Sequence, residues 1–234
     1  MNTDYLNSMS RVEEQFLESK DVFVHFRKLA NQSNKIRIAV AYLTQNGYDI
    51  IDPDLRKFLK KHKGNTLELI VGLSSYCITE PSSIESLLRL RKAFSSQVNI
   101  RYYYNEGFHP KLFIFEKKDA ASILIGSSNL TWQGMRSNVE ANLLITEPRN
   151  SALHKVVIHY FERLMQHADK DLGSVLITYT KDYNRLKKRK ASSYVASPSK
   201  KSLRTSLPPD YFDTHRDRKD SQELRSLLED LPRA

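Results

Sequence analysis

Phe108-His109-Pro110-Lys111-Leu112-Phe113-Ile114-Phe115-Glu116, followed by Gly126-Ser127-Ser128-Asn129-Leu130-Thr131, is the stretch on which the reading of this chain turns. Residues 111–115 are apolar after the lysine and read as a strand. Period two then puts His109 and Lys111 on one face at the strand's start, where both can meet one ligand. Leu112, Ile114 and Glu116 alternate with Phe113 and Phe115 to leave an apolar platform beneath. Residues 122–125 read as a second strand, close enough to the first for a hairpin. The glycine turn that follows returns Asn129 to the end of the sheet where His109 stands. Lysine offers a cation and asparagine a neutral donor, a pairing that suits the non-bridging oxygens of a phosphate. Gly126 and Ser127 are small enough for a backbone to approach that phosphate. Histidine supplies a nucleophile or a general acid near neutral pH.

Outward from this centre the chain alternates helix and strand signals. Ser10-Arg11-Val12-Glu13 has the form of a capping box, predicting a helix to about Ala30. Strands are predicted at 36–42, 67–71, 98–104 and 140–146, with a short last one at 175–178. Helices are predicted from Asp52-Pro53 to about Lys61, from Pro81 to Phe94, and from Ser151 to about Asp169. This order predicts an α/β fold, a mixed β-sheet flanked by helices on both faces, over residues 1–180. No internal repeat is present, so the histidine-lysine motif occurs once.

Residues 181–234 change character. They carry 14 Lys/Arg against 8 Asp/Glu, and the stretch from Lys187 to Arg204 holds seven basic residues and no acid. They read as a basic, flexible C-terminal tail, with a short amphipathic helix at about 221–231 whose leucines form a docking face. The run Lys187, Lys188, Arg189, Lys190 serves nucleic-acid binding, a nuclear address, or simply a solvated linker.

The chain has 234 residues, a net charge of +10 and a pI near 9.5. That surplus favours a polyanionic partner, because cation–phosphate contacts release condensed counterions. No run approaches the roughly 18–20 apolar residues of a membrane span, and the polar, acidic first twenty residues predict no secretory leader. One cysteine, Cys77, excludes a disulfide framework within the chain. A cytoplasmic setting is expected, or a nuclear one in a eukaryote. The other six histidines lack metal-ligand spacing. Tyr102, Tyr103 and Tyr104 read as core on one side and surface on the other, and Trp132 as core.

H-x-K, an acid five positions on, then G-S-x-N beginning ten positions after the acid, resembles the HKD signature of the phospholipase D superfamily. The match is His109, Lys111, Glu116, Gly126, Ser127 and Asn129. Glu116 stands where the family has Asp, a position whose role there is structural. Asn138-Val139-Glu140 resembles the family's downstream acid, which hydrogen-bonds a catalytic histidine, and the resemblance assigns that role to Glu140. It implies a phospholipase D-like sheet, attack by one histidine on phosphorus, and proton donation by a second, with Lys111 and Asn129 holding the phosphoryl oxygens. Ser127 serves either phosphate or the turn. No metal or cofactor is implied. One motif per chain implies a homodimer that brings two copies of His109 together.

Single-motif nucleases and the catalytic domains of metal-independent restriction endonucleases are the branch this chain most resembles, with DNA ahead of RNA as substrate. A phospholipase or phosphatidyl transferase is the alternative, set back by the missing repeat. A non-catalytic nucleic-acid-binding module is a third reading, set back by the complete set of site residues. The tail is expected to tether a partner protein or to add non-specific affinity.

Overall fold

The computed structural model describes residues 12–195, with side chains to Arg189. Seven strands form one mixed sheet: β1 (Glu13–Leu17), β2 (Lys35–Val40), β3 (Thr66–Leu73), β4 (Val98–Tyr104), β5 (Lys111–Glu116), β6 (Ala120–Gly126) and β7 (Asn142–Pro148). Their order across the sheet is β1-β7-β6-β5-β2-β3-β4. β2, β3 and β4 run parallel; β5, β6, β7 and β1 are antiparallel to their neighbours. β2 and β3 are buried on both faces over most of their length, while the edge strand β4 alternates buried Val98, Ile100 and Tyr102 with exposed or half-buried neighbours.

Six helices accompany the sheet: α1 (Ser19–Gln32), α2 (Gln45–Lys61), α3 (Pro81–Ala93), α4 (Trp132–Arg136), α5 (Ala152–His167) and α6 (Leu172–Val195). Strand alternation sorts the core into two layers. Ile36, Ile38 and Val40 of β2 with Phe113 and Phe115 of β5 pack against Phe26, Leu55, Leu87 and Tyr179 of α1, α2, α3 and α6. Ala39, Leu112, Ile114 and Ile123 point the other way, onto Phe161 and Met165 of α5. The expected helices on both faces are therefore present, with several on one side and α5 crossing the other.

Several local expectations are corrected. Residues 13–17, expected inside a first helix, are strand β1: they pair with β7 across the sheet edge from Glu13↔Thr146 to Leu17↔Asn142. Helix α2 begins at Gln45, so Pro53 lies inside the helix rather than in its first turn. Gly47 there permits close packing, since a Cβ would stand 2.1 Å from the Leu130 carbonyl oxygen. The run 175–178, expected as a strand, lies in α6. Leu172, Tyr179 and, packed beside them, Val175, Leu176, Tyr183 and Leu186 recur at helical spacing along one core-facing side. That helix carries the basic run Lys187–Lys190, expected in a linker. Contacts divide the chain into units Met1–Lys188 and Arg189–Ala234. The short terminal helix expected near 221–231 lies outside the described residues.

Candidate active site

The site is built where four chain segments end at one edge of the sheet. β2 and β5 pair antiparallel from Lys35↔Glu116 to Val40↔Lys111, and Ala41 N donates to Pro110 O at 2.9 Å, extending the ladder. Two more residues of the same register set Tyr42 beside His109. Their rings meet edge to face at a centroid distance of 5.6 Å. β6 returns antiparallel to β5 and ends at Gly126, level with the start of β7. A Cβ on Gly126 would lie 2.3 Å from Ala141 O and 2.5 Å from Asn142 Oδ1. Glycine is thus demanded here by the neighbouring strand.

His109 and Lys111 are in direct contact. Lys111 Nζ lies 2.6 Å from His109 Nδ1 and 3.0 Å from Nε2, and donates to the His109 carbonyl oxygen at 3.0 Å. His109 is exposed while Lys111 is buried, so the ammonium is held under the imidazole at the floor of the site. Lys111 is also 6.0 Å from the centre of the Tyr42 ring. Asn129 Oδ1 accepts from Tyr42 N at 3.1 Å. That bond orients the amide and leaves its NH2 as the donor to offer a ligand. An isolated parallel bridge, Leu43↔Leu130, and the close seat of Gly47 against Leu130 fix the loop that carries Asn129.

Glu140 approaches from the start of β7. Ser127 Oγ donates to its Oε2, and Asn138 Nδ2 donates to Oε1 at 3.1 Å. Its charge acts on Lys111 rather than bonding to His109: no hydrogen bond joins Glu140 to the imidazole among the described residues. Lys111 already occupies that ring. Burial pushes the Lys111 ammonium below its ordinary value, and the Glu140 carboxylate opposes that shift. His109 is held below its ordinary value, first by desolvation and then by the Lys111 charge. A depressed imidazole stays neutral, and so nucleophilic, to lower pH. The acid limb of a kcat/KM profile on a small phosphodiester should therefore fall below the roughly 6.5 of a free imidazole. A limb at or above that value would contradict the geometry.

Glu116 is elsewhere. It is buried on the opposite face at the far end of β5, where it accepts from Arg37 Nη1 and faces Arg149 Nε at 3.4 Å and His154 Nε2 at 3.3 Å. His109, Lys111, Asn129, Glu140, Ser127 and Gly126 are gathered at one edge, and Glu116 is not. Tyr42 is the site residue that sequence reasoning missed. The available signal was its place just past the C-terminal end of a parallel strand, where open α/β sheets gather their ligands. Trp132, expected in the core, is 40% exposed. Tyr102 is buried, Tyr103 stacks on Phe108 at 4.6 Å, and Tyr104 is exposed. Among the described residues no group of three or more His, Cys, Asp and Glu could hold a metal ion, and no helix is long and apolar enough to cross a membrane.

The family model described as cardiolipin synthase, PLD-like domain, matches residues 26–165. No curated protein sequence matches the chain. Among solved structures, the chain is similar to NucT from Helicobacter pylori, at 12% identity and a TM-score of 0.52, over 68% of this chain and 99% of that one. It is similar to Nuc from Salmonella typhimurium, a phospholipase D family member, at 15% identity and a TM-score of 0.50, over 68% and 96%. It is also similar to phosphatidylserine synthase from Haemophilus influenzae, at 18% identity and a TM-score of 0.53, over 80% of this chain and 47% of that one.

Proposed function

The chain belongs to the phospholipase D-like domain family, and we propose that it acts on phosphodiesters as a nuclease whose active site is shared by two copies of the chain and needs no metal. The observation that carries this is the contact of an exposed imidazole with a buried ammonium, Lys111 Nζ on His109, beside the oriented amide of Asn129. A phosphoryl oxygen is a charged acceptor, and on binding it draws the Lys111 ammonium away from the ring. The freed imidazole nitrogen attacks phosphorus, a P–N bond forms, and the P–O bond to the leaving group breaks. The partner copy's imidazole gives its proton to the departing oxygen. Water then attacks the phosphohistidine, passing a proton to that second imidazole, and the P–N bond breaks to release a monoester. Lys111 and Asn129 stabilise the oxygens throughout. Tyr42 and Glu140 position the ring and the ammonium.

A second copy is the proposed source of the second imidazole, since no other histidine is hydrogen-bonded at the site among the described residues. The fold offers a surface for it. Ile125, Leu143 and Phe16 are cross-strand neighbours on β6, β7 and β1, and are 47%, 38% and 70% exposed. They lie on the α5 face of the sheet, adjoining Gly126 and Asn142. On α5 itself, Leu153, Val156 and Tyr160 are exposed too. An apolar face that adjoins an incomplete site suits self-association.

Nucleic acid is favoured over lipid by the net charge of +10 and by the likeness to Nuc and NucT over nearly the whole length of both. Of the net +6 in residues 181–234, +5 falls in residues 181–190 on α6. We read that helix segment, including Lys187, Lys188, Arg189 and Lys190, as non-specific affinity for the polyanion.

The test is cleavage of labelled single- and double-stranded DNA and RNA in excess EDTA, with phosphatidylglycerol vesicles as the competing substrate. EDTA-resistant cleavage of a nucleic acid is the expected result. Turnover of the vesicles alone would replace it with the lipid reading, and cleavage abolished by EDTA would remove the proposed chemistry.

A further inference from the structure

Helix α4 hangs between two residues of the site. Its N-cap Thr131 accepts from Gly134 N at 2.9 Å. Gly134 seats against Asn129, where a Cβ would lie 2.7 Å from the Asn129 carbonyl oxygen and 3.0 Å from its nitrogen. At the other end Asn138 N donates to Gln133 O at 2.8 Å, while Asn138 Nδ2 holds Glu140. Asn138 O in turn accepts from Ser19 Oγ of α1. This short helix forms the rim of the site, and Arg136 is its last residue.

The Arg136 guanidinium is held by two rings. Its carbon lies 4.5 Å from the centre of Phe23 and 4.7 Å from the centre of Trp132. Rings engage the face of a guanidinium and leave its N–H edges open. Arg27, Arg37, Arg56, Arg89, Arg149 and Arg185 all stand within ion-pair distance of a carboxylate. Arg136, like Arg91, Arg101 and Arg163, has no such partner among the described residues; it is exposed and is the one of these four stacked between two rings. A planar cation already ordered by stacking loses less freedom when it binds, and its fork matches two oxygens of a phosphate.

We propose that Arg136 is a phosphate-binding residue that grips a backbone phosphate next to the scissile one, with Trp132 and Phe23 as its support. The proposal rests on the nucleic-acid reading above and adds a subsite to it. Lys111 and Asn129 serve the reacting phosphate; Arg136 serves a neighbouring one, so its effect is larger on substrates with more than one phosphate.

The experiment measures binding of a labelled single-stranded oligonucleotide by anisotropy across salt concentrations, and hydrolysis of that strand and of bis(p-nitrophenyl) phosphate. Wild type, Arg136→Gln and Arg136→Lys are compared at matched melting temperature. In Arg136→Gln, oligonucleotide affinity should fall about 10-fold and the log–log salt slope by about one. Its loss in kcat/KM on the strand should exceed its loss on the single-phosphate ester by a similar factor. Arg136→Lys should keep most of the slope and lose part of the affinity, because it keeps the charge and not the fork. Unchanged affinity and slope in Arg136→Gln would reduce Arg136 to a structural stack. Failure of the wild type to bind the strand would overturn the subsite together with the nucleic-acid reading. Arg136-dependent binding without cleavage would uphold the subsite and sink the nuclease.

Discussion

Replacing His109 by alanine should lower phosphodiester cleavage on the order of 10³-fold or more, the scale for removing a nucleophile from a concerted set. The fold should survive it. His109 is exposed and its contacts are Lys111 and Tyr42, so no buried volume is emptied. The Lys111 ammonium keeps the residue 109 carbonyl as an acceptor. A shared site makes a sharper demand. If one centre needs an imidazole from each copy, a hybrid of wild type with His109→Ala is dead. Subunits assorting at random from an equal mixture should then retain about a quarter of the activity, the share of dimers with two intact copies. Independent sites would retain about half. Aspartate at Phe16, or at Val156, tests the same point from the surface. Both are exposed apolar residues on the α5 face, and a charge there should split the dimer in light scattering and carry activity down with it. Activity that stays proportional to wild-type protein, in a chain that sediments as a monomer, would end the shared-site reading.

How much of this site was legible in the sequence follows from how far apart its parts lie. His109 and Lys111 are two residues apart on one strand, and Asn129 returns through the adjacent β6, so local period and one hairpin bring them to one edge. Tyr42 comes from β2, whose pairing with β5 joins residues 67 positions apart. No local pattern announces that register. Strand β1 escaped for the same reason. Its partner is β7, and Glu13-Glu14-Gln15-Phe16-Leu17 shows no apolar–polar alternation that would announce a strand before the edge pairing is known. In α6 local propensity misleads in the other direction. Val175, Ile177 and Thr178 favour a strand, yet burial of Leu172 and Tyr179 on one helical side outweighs them. Within one copy of the chain Glu140 accepts from Ser127 and Asn138, while Lys111 stands against the His109 ring. Ser127, ambiguous in sequence, holds Glu140 instead of standing free.

Glu116→Ala should destabilise the protein by about 3 kcal/mol, the low end for breaking a buried ion pair by removing one partner. Glu116 and Arg37 are 2% and 6% exposed, facing each other across β5 and β2 in the layer beneath α5. Truncation leaves the Arg37 guanidinium in the sheet with Glu68 on its Nε at 2.9 Å and Glu162 more distant at 3.8 Å. The surviving Glu68 is why the low end applies. Arg149 and His154 lose their carboxylate as well, and His154 is held below its ordinary value by burial and by the positive charges of Arg149 and Arg37. Glu116→Gln, which keeps volume and one acceptor, should cost less than Glu116→Ala. Urea midpoints at fixed protein concentration measure both, the concentration being fixed because a dimer's stability depends on it. Catalysis by the folded fraction should hold, because five residues of strand, roughly 16 Å, separate Glu116 from Lys111. If Glu116→Ala abolished turnover while leaving the urea midpoint in place, Glu116 would belong to the reacting centre, and its burial among Arg37, Arg149 and His154 would need another explanation.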